Sequence, residues 1–186
     1  MVNANARIYL DWAHLRDGGA VGRLQAQGIV YIDYLDRLAT GAFLLPGAEA
    51  LCRALAPCCT LAIVTNGVAR AQRGRFQRSP LAGLVSHLFI SEELGAAKPD
   101  PAFFTAVLRA LGDPPRSRVL VVGDNPATDV RGALASGLPA VWYDPRRLSD
   151  PGPWVPTWRV ERFEQLKALI LDRPLPPKLR PANRNT

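Results

Sequence analysis

The chain is poor in the groups on which several functions depend. Its 186 residues include three cysteines and two histidines. The cysteines are Cys52, Cys58 and Cys59, odd in number and with two adjacent, and no second cluster or histidine pair stands at metal-ligand spacing. They read as reduced thiols rather than as a disulfide framework or a zinc site. No apolar run approaches the roughly 20 residues that a membrane-spanning helix needs. The opening MVNANARIYLDWAHL lacks the apolar core of a signal peptide. The expectation is a cytoplasmic chain without a membrane partner. Acidic residues are few, 16 against 23 basic ones, for a net charge of +7. Arg173, Lys178, Arg180 and Arg184 place much of that excess in a tail with no acid after Asp172. No basic run is interleaved with aromatics, so a solvated surface is expected rather than a nucleic-acid partner.

What is present is an ordinary globular composition, 48% hydrophobic and 21% charged, at a length that suits one domain with a real core. In residues 5–15, Ile8, Tyr9, Trp12 and Leu15 stand at helical spacing. A second helical pattern runs over 21–38, so the first forty residues read as a small helical unit. After Pro46-Gly47 the rhythm changes. Short apolar runs of buried-strand type, LAIVT (61–65), HLFIS (87–91), RVLVVG (118–123), AVWY (140–143) and WRV (158–160), alternate with helical patterns over 47–56, 69–78, 100–111, 127–136 and 163–172. That alternation predicts an α/β fold with right-handed crossovers and a parallel sheet. The tail RPLPPKLRPANRNT, rich in proline and without periodicity, is expected to be disordered.

In an open parallel sheet, ligands bind at the carboxyl ends of the strands. LAIVT ends in Thr65-Asn66-Gly67, and RVLVVG runs into Asp124, with Asp129 about a turn further on. Lys98 precedes Pro99 at the mouth of a helix. A hydroxyl, a backbone turn at a helix start and an ammonium suit a phosphate. A carboxylate pair suits Mg²⁺, which prefers few carboxylates plus substrate oxygens. Each residue also has a plainer role. Thr65 and Asp124 suit helix caps, Asp129 complements a helix dipole, and a lone lysine is usually a surface residue. Their order, each at a strand end or helix start, favours the site.

Taken together, IVTNG, GAAKPDPAFF and VVGDNPATDVRGA resemble the second, third and fourth motifs of the haloacid-dehalogenase-like phosphohydrolases. The connecting text, including VTNGVARAQRGRFQ and FISEELGAAKPDPAFF, is similar to the branch that contains pyrimidine 5′-nucleotidases. The resemblance covers about residues 25–171. It implies a three-layer, doubly wound parallel sheet with a helical cap, and an Mg²⁺-dependent phosphomonoester hydrolase acting on a small phosphorylated metabolite such as a nucleoside monophosphate. Thr65 would bond the phosphate, with backbone N–H groups of Asn66 and Gly67. Lys98 would neutralise nucleophile and phosphate. Asp124 would hold the metal, with Asp129 in support.

The same family needs a first motif, a strand ending in Asp-x-Asp, whose first Asp forms an aspartyl phosphate and whose second is the general acid and base. Asp11 follows an apolar run, but Ala13 stands where the second Asp belongs, and the spacing is helical. Asp33 and Asp36 sit in another helical pattern. The expectation is therefore a partial helical cap over 1–40, a core over 41–172 that lacks its first strand, and a tail over 173–186. The nucleophile would lie outside a truncated chain, which would be inactive as it stands. The alternative is a non-catalytic phosphate-binding relic.

Overall fold

The computed structural model describes the backbone of residues 6–10 and, in full, residues 44–148 and 152–171. Six strands form one parallel sheet: β1 (Ala6–Leu10), β2 (Cys59–Thr65), β3 (His87–Ile90), β4 (Val119–Gly123), β5 (Ala140–Tyr143) and β6 (Trp158–Val160), in the order β3-β2-β1-β4-β5-β6. The helices are α1 (Ala48–Leu55), α2 (Ala69–Arg78), the single turn α3 (Ser91–Leu94), α4 (Pro101–Ala110), α5 (Arg131–Ala135) and α6 (Phe163–Leu171). None of the described helices is long and apolar enough to cross a membrane.

Both faces of the sheet are covered, which is why its central strands are apolar throughout rather than alternating. Ala62, Val64, Val119 and Val121 join Phe103, Phe104, Val107 and Leu108 of α4 in one core. The alternate residues Leu61, Ile63, Leu120 and Val122 join Leu51, Cys52 and Leu55 of α1 and Leu166 of α6 in the other. The two-residue period of each strand thus feeds two cores. Helix α4 starts where the sequence marks it. Pro101 occupies the first turn, and the Asp100 side chain accepts from the Ala102 N–H at 2.8 Å.

The first forty residues bring the main correction. Ala6–Leu10 is not helical. It is the central strand, with Ile8 opposite Leu61 on one side and Leu120 on the other. The core therefore has a strand between β2 and β4. The run Ile8-Tyr9-Leu10 fits either period by itself, and Trp12 and Leu15 made the helical count look complete. What decides is tertiary: the two inner edges of β2 and β4 need backbone partners, and only an extended segment supplies them. Residues 11–43, with Asp11, Ala13, Asp33 and Asp36, and the tail from 172 lie outside the described residues.

Candidate active site

The chain winds outward from β1 through β2 to β3, then returns to β4 and winds the other way through β5 to β6. Strand order reverses at the β1–β4 boundary, and an open α/β sheet has its binding crevice at the carboxyl end of that boundary. Thr65 ends β2, Asp124 follows β4, and Asp11 is the next residue in the chain after β1.

The loop after β4 is built largely from itself. The Asn125 side chain accepts from the Ala127 N–H at 2.9 Å. Pro126–Val130 forms one wide π turn, in which the Arg131 N–H reaches the Pro126 carbonyl. Such turns are rare and recur at functional sites. Here the turn sends Asp129 back under the strand end, where its Oδ2 accepts from the Asn125 N–H at 3.1 Å. Asp129 lies so close to Gly123 that a Cβ there would sit 2.3 Å from the Asp129 Cβ. Only glycine leaves room for that carboxylate.

Lys98 comes to Asp129 from the other side. Its Nζ donates to Asp129 Oδ1 at 2.8 Å and to the Val64 carbonyl at 3.1 Å. Both side chains are 1% exposed, so the pair is buried and each charge depends on the other. Lys98 is thus no surface lysine. Thr65 is also buried, and its hydroxyl donates to the Asn66 carbonyl at 3.3 Å. The Asn66 side chain is engaged with the Lys98 backbone. The Gly67 N–H donates to Ser91 Oγ at 3.0 Å, and Glu92 accepts from the Ala69 N–H at the start of α2 at 2.7 Å. The structure therefore gathers Thr65, Asn66, Lys98 and Asp129 around one strand end. Asp124 stands at the head of the same loop, and its carbonyl accepts from the Trp142 indole N–H at 3.1 Å.

Asp124 also borders a cavity of about 290 Å³ lined with Leu45, Tyr143, Asp144 and Arg146. Asp144 is buried and paired with Arg159, whose guanidinium lies over the Trp142 ring at 4.5 Å. That ion pair, which sequence reasoning missed, holds the cavity wall. Burial, with the charges of Glu164 and Asp124, raises the Tyr143 phenol above its ordinary range. Acidic and basic groups share this wall, with Asp124 and Asp144 beside Arg146. Among the described residues no three carboxylate, histidine or cysteine side chains gather as a metal cage. Asp124 Oδ1 is shielded from solvent at the crevice, which suits an ion held by few protein oxygens. Each Asp129 oxygen accepts from a protein donor, which fixes the carboxylate in place while leaving further lone pairs on it.

The family model for haloacid dehalogenase-like hydrolases matches residues 2–137. The chain is 37% identical over 126 residues to the pyrimidine 5′-nucleotidase YjjG of Escherichia coli, covering 68% of this chain and 56% of that protein. It is 30% identical over 102 residues to the pyrimidine 5′-nucleotidase PynA of Streptococcus pneumoniae, covering 55% of this chain and 43% of that one. The chain thus spans about half the length of these relatives. The HAD-hydrolase YfnB of Bacillus subtilis, solved bound to magnesium, superposes with a TM-score of 0.73 at 28% identity, covering 76% of this chain and 62% of that one. With the reversed strand order, the buried Lys98–Asp129 pair and a family match across most of its length, the chain belongs to the haloacid dehalogenase-like hydrolases.

Proposed function

We propose that the chain forms a phosphomonoester hydrolase site of nucleotidase type, with Asp11 as the nucleophile. The observation that carries this reading is the buried ammonium of Lys98, fixed between the end of β2 and Asp129 in the crevice where the strand order reverses. A cation held there faces the position of a phosphate. Asp11 follows β1 directly, and β1 lies between the strands that carry Thr65 and Asp124. The helical spacing that argued against Asp11 in the sequence no longer applies.

In this mechanism an Asp11 carboxylate oxygen bonds to phosphorus as the ester oxygen leaves with its electron pair and takes a proton from water, giving an aspartyl phosphate, an alcohol and hydroxide. Water then hydrolyses the acyl phosphate and restores the carboxylate. The Thr65 hydroxyl donates to a phosphate oxygen, and Lys98 offsets negative charge on nucleophile and phosphate. Mg²⁺, held by Asp124 and Asp11, would supply further charge neutralisation at the phosphoryl oxygens. A nucleoside monophosphate is the preferred candidate substrate, as the names of the relatives suggest.

Ala13 favours a second reading. It stands where the general acid would be, so an unprotonated leaving group must depart unaided. On that reading the site binds phosphate and turns over little or not at all. One experiment separates the two. The chain is assayed with Mg²⁺ on uridine monophosphate and on p-nitrophenyl phosphate, beside Asp11→Asn and Asp124→Asn, while melting temperature is followed against inorganic phosphate. Hydrolysis that both substitutions abolish supports the first reading. Phosphate-dependent stabilisation without hydrolysis supports the second, and hydrolysis indifferent to Asp11→Asn refutes the nucleophile assignment.

A further inference from the structure

One contact at the site has no part in that chemistry. The Asn66 carboxamide takes both backbone polar groups of Lys98: Oδ1 accepts from the Lys98 N–H at 2.9 Å, and Nδ2 donates to the Lys98 carbonyl at 2.8 Å. Both lengths are those of sound hydrogen bonds. The pattern is that of a β-bridge, made by a single side chain to a segment 32 residues away. Asn66 is itself held still. Its carbonyl accepts from Gln72 Nε2 at 3.3 Å, and the next residue, Gly67, has φ of +147° and lies against the same Gln72 side chain.

We propose that Asn66 is a positioning residue that sets the backbone of Lys98, and through it the ammonium, against Val64 and Asp129. The inference rests on reading Lys98 as the cation of the phosphate site. A lysine side chain has four rotatable carbon–carbon bonds and reaches many positions from a loose backbone. Fixing both the N–H and the C=O of its residue removes the rigid-body freedom that would move the ammonium away from the crevice. The same clamp ties the level of Thr65, the neighbouring phosphate-binding candidate, to the level of the cation. Asn is the residue type that does this from position 66. Aspartate would set a carboxylate oxygen against the Lys98 carbonyl, and alanine would leave both Lys98 groups without that partner. The role differs from the backbone phosphate contact that the sequence suggests for this position.

The test uses the scarcity of lysine in this chain. Only Lys98, Lys167 and Lys178 are present, so ¹⁵N-lysine labelling yields three side-chain ammonium signals at most. The buried Lys98 ammonium is expected to exchange slowly with water and to stand apart from the other two. Asn66→Ala and Asn66→Asp are expected to lose that separate signal, while the Trp142 indole N–H, bonded to the Asp124 carbonyl, keeps its position. Ser91→Ala removes the nearby bond to Gly67 and should leave the Lys98 signal in place. An unchanged Lys98 signal in either folded Asn66 variant overturns the proposal. Joint loss of the Lys98 and Trp142 signals overturns it too, since Asn66 is then a general structural residue. The readout needs no turnover. Absence of hydrolysis in the unmodified chain counts against the functional reading alone, and a failed NMR result counts against Asn66 alone.

Discussion

The loops after β2 and after β4 leave the strands on either side of β1 and flank one crevice, but they are held in opposite ways. The β4 loop is fastened to itself: Asn125 to Ala127, Asp129 to Asn125, and Asp129 packed on Gly123. The β2 loop is fastened to remote segments: Asn66 to Lys98, Gly67 to Ser91 and Ala69 to Glu92. A self-fastened loop carries its geometry in its own sequence and resists changes elsewhere. A remotely fastened loop inherits its geometry from the fold and moves when distant elements move. The Lys98–Asp129 pair is where the two meet.

That junction gives the largest expected effect. Asp129→Ala leaves the Lys98 ammonium buried without its counter-charge, and breaking such a pair costs about 3–5 kcal/mol. The loss should appear as a lower urea midpoint. The double change Lys98→Met with Asp129→Leu removes both charges and should recover most of it, at the expense of any phosphate binding. If the double variant is no more stable than Asp129→Ala, the pair is not the point of coupling between the loops.

Gly123→Ala attacks the self-fastened loop alone. The new Cβ would meet Asp129 carbon atoms at 2.3–2.4 Å, and overpacking of this kind costs roughly 1–3 kcal/mol. The Trp142 indole signal should shift with it, because Asp124 heads the same loop. A stable variant with an unmoved Trp142 signal would show that the loop tolerates displacement after all.

Glu92→Ala attacks the remotely fastened loop at an exposed point and removes the acceptor of the Ala69 N–H. The expected loss is about 1 kcal/mol, with hydrogen exchange accelerated at the start of α2 and unchanged after β4. Exchange that rises equally at both loops would erase the contrast between them.

The smallest effect at neutral pH belongs to the thiols of α1 and of the start of β2. Burial, with Cys58 adjacent at 3.7 Å between sulfurs, pushes Cys59 up to about 12, and burial pushes Cys52 up to about 11, from an ordinary value of 9.0. A thiol pKa raised by folding stabilises the native state below the unfolded value and loses that contribution as pH climbs toward the folded value. Melting temperature should be insensitive to these groups from pH 6 to 8 and fall progressively above about pH 9. A disulfide-exchange reagent at pH 8 should modify Cys58 first in the native chain. Rapid reaction of Cys59 there would contradict its burial.

The same contrast explains what was legible in the sequence. The β4 loop was readable because Gly123, Asp124, Asn125, Pro126 and Asp129 are local signals at short spacing. The alternation of apolar runs and helical patterns located β2 through β6 and their helices to within a few residues, because each segment carries its own periodicity. The β2 loop was readable only as Thr-Asn-Gly at a strand end. Nothing near Asn66 indicates that its amide binds residue 98, or that Glu92 finishes α2 from outside. Strand β1 was misread for the same reason. Its five residues hold too few period repeats to declare themselves, and its identity as a strand comes from partners elsewhere.

Those partners give β1 a consequence for assembly. Its backbone bonds go to Cys59–Ile63 on one edge and Val119–Val122 on the other, both far along the chain. The β2–β3 and β4–β5 neighbours close shorter loops, whereas seating β1 closes the long ones, and long-range pairing is entropically costly and slow. Before that step β2 and β4 each present an open inner edge, a template for pairing with other chains. A sheet without β1 would be both adhesive and without its crevice, so the same five residues that cover the two inner edges also complete the site.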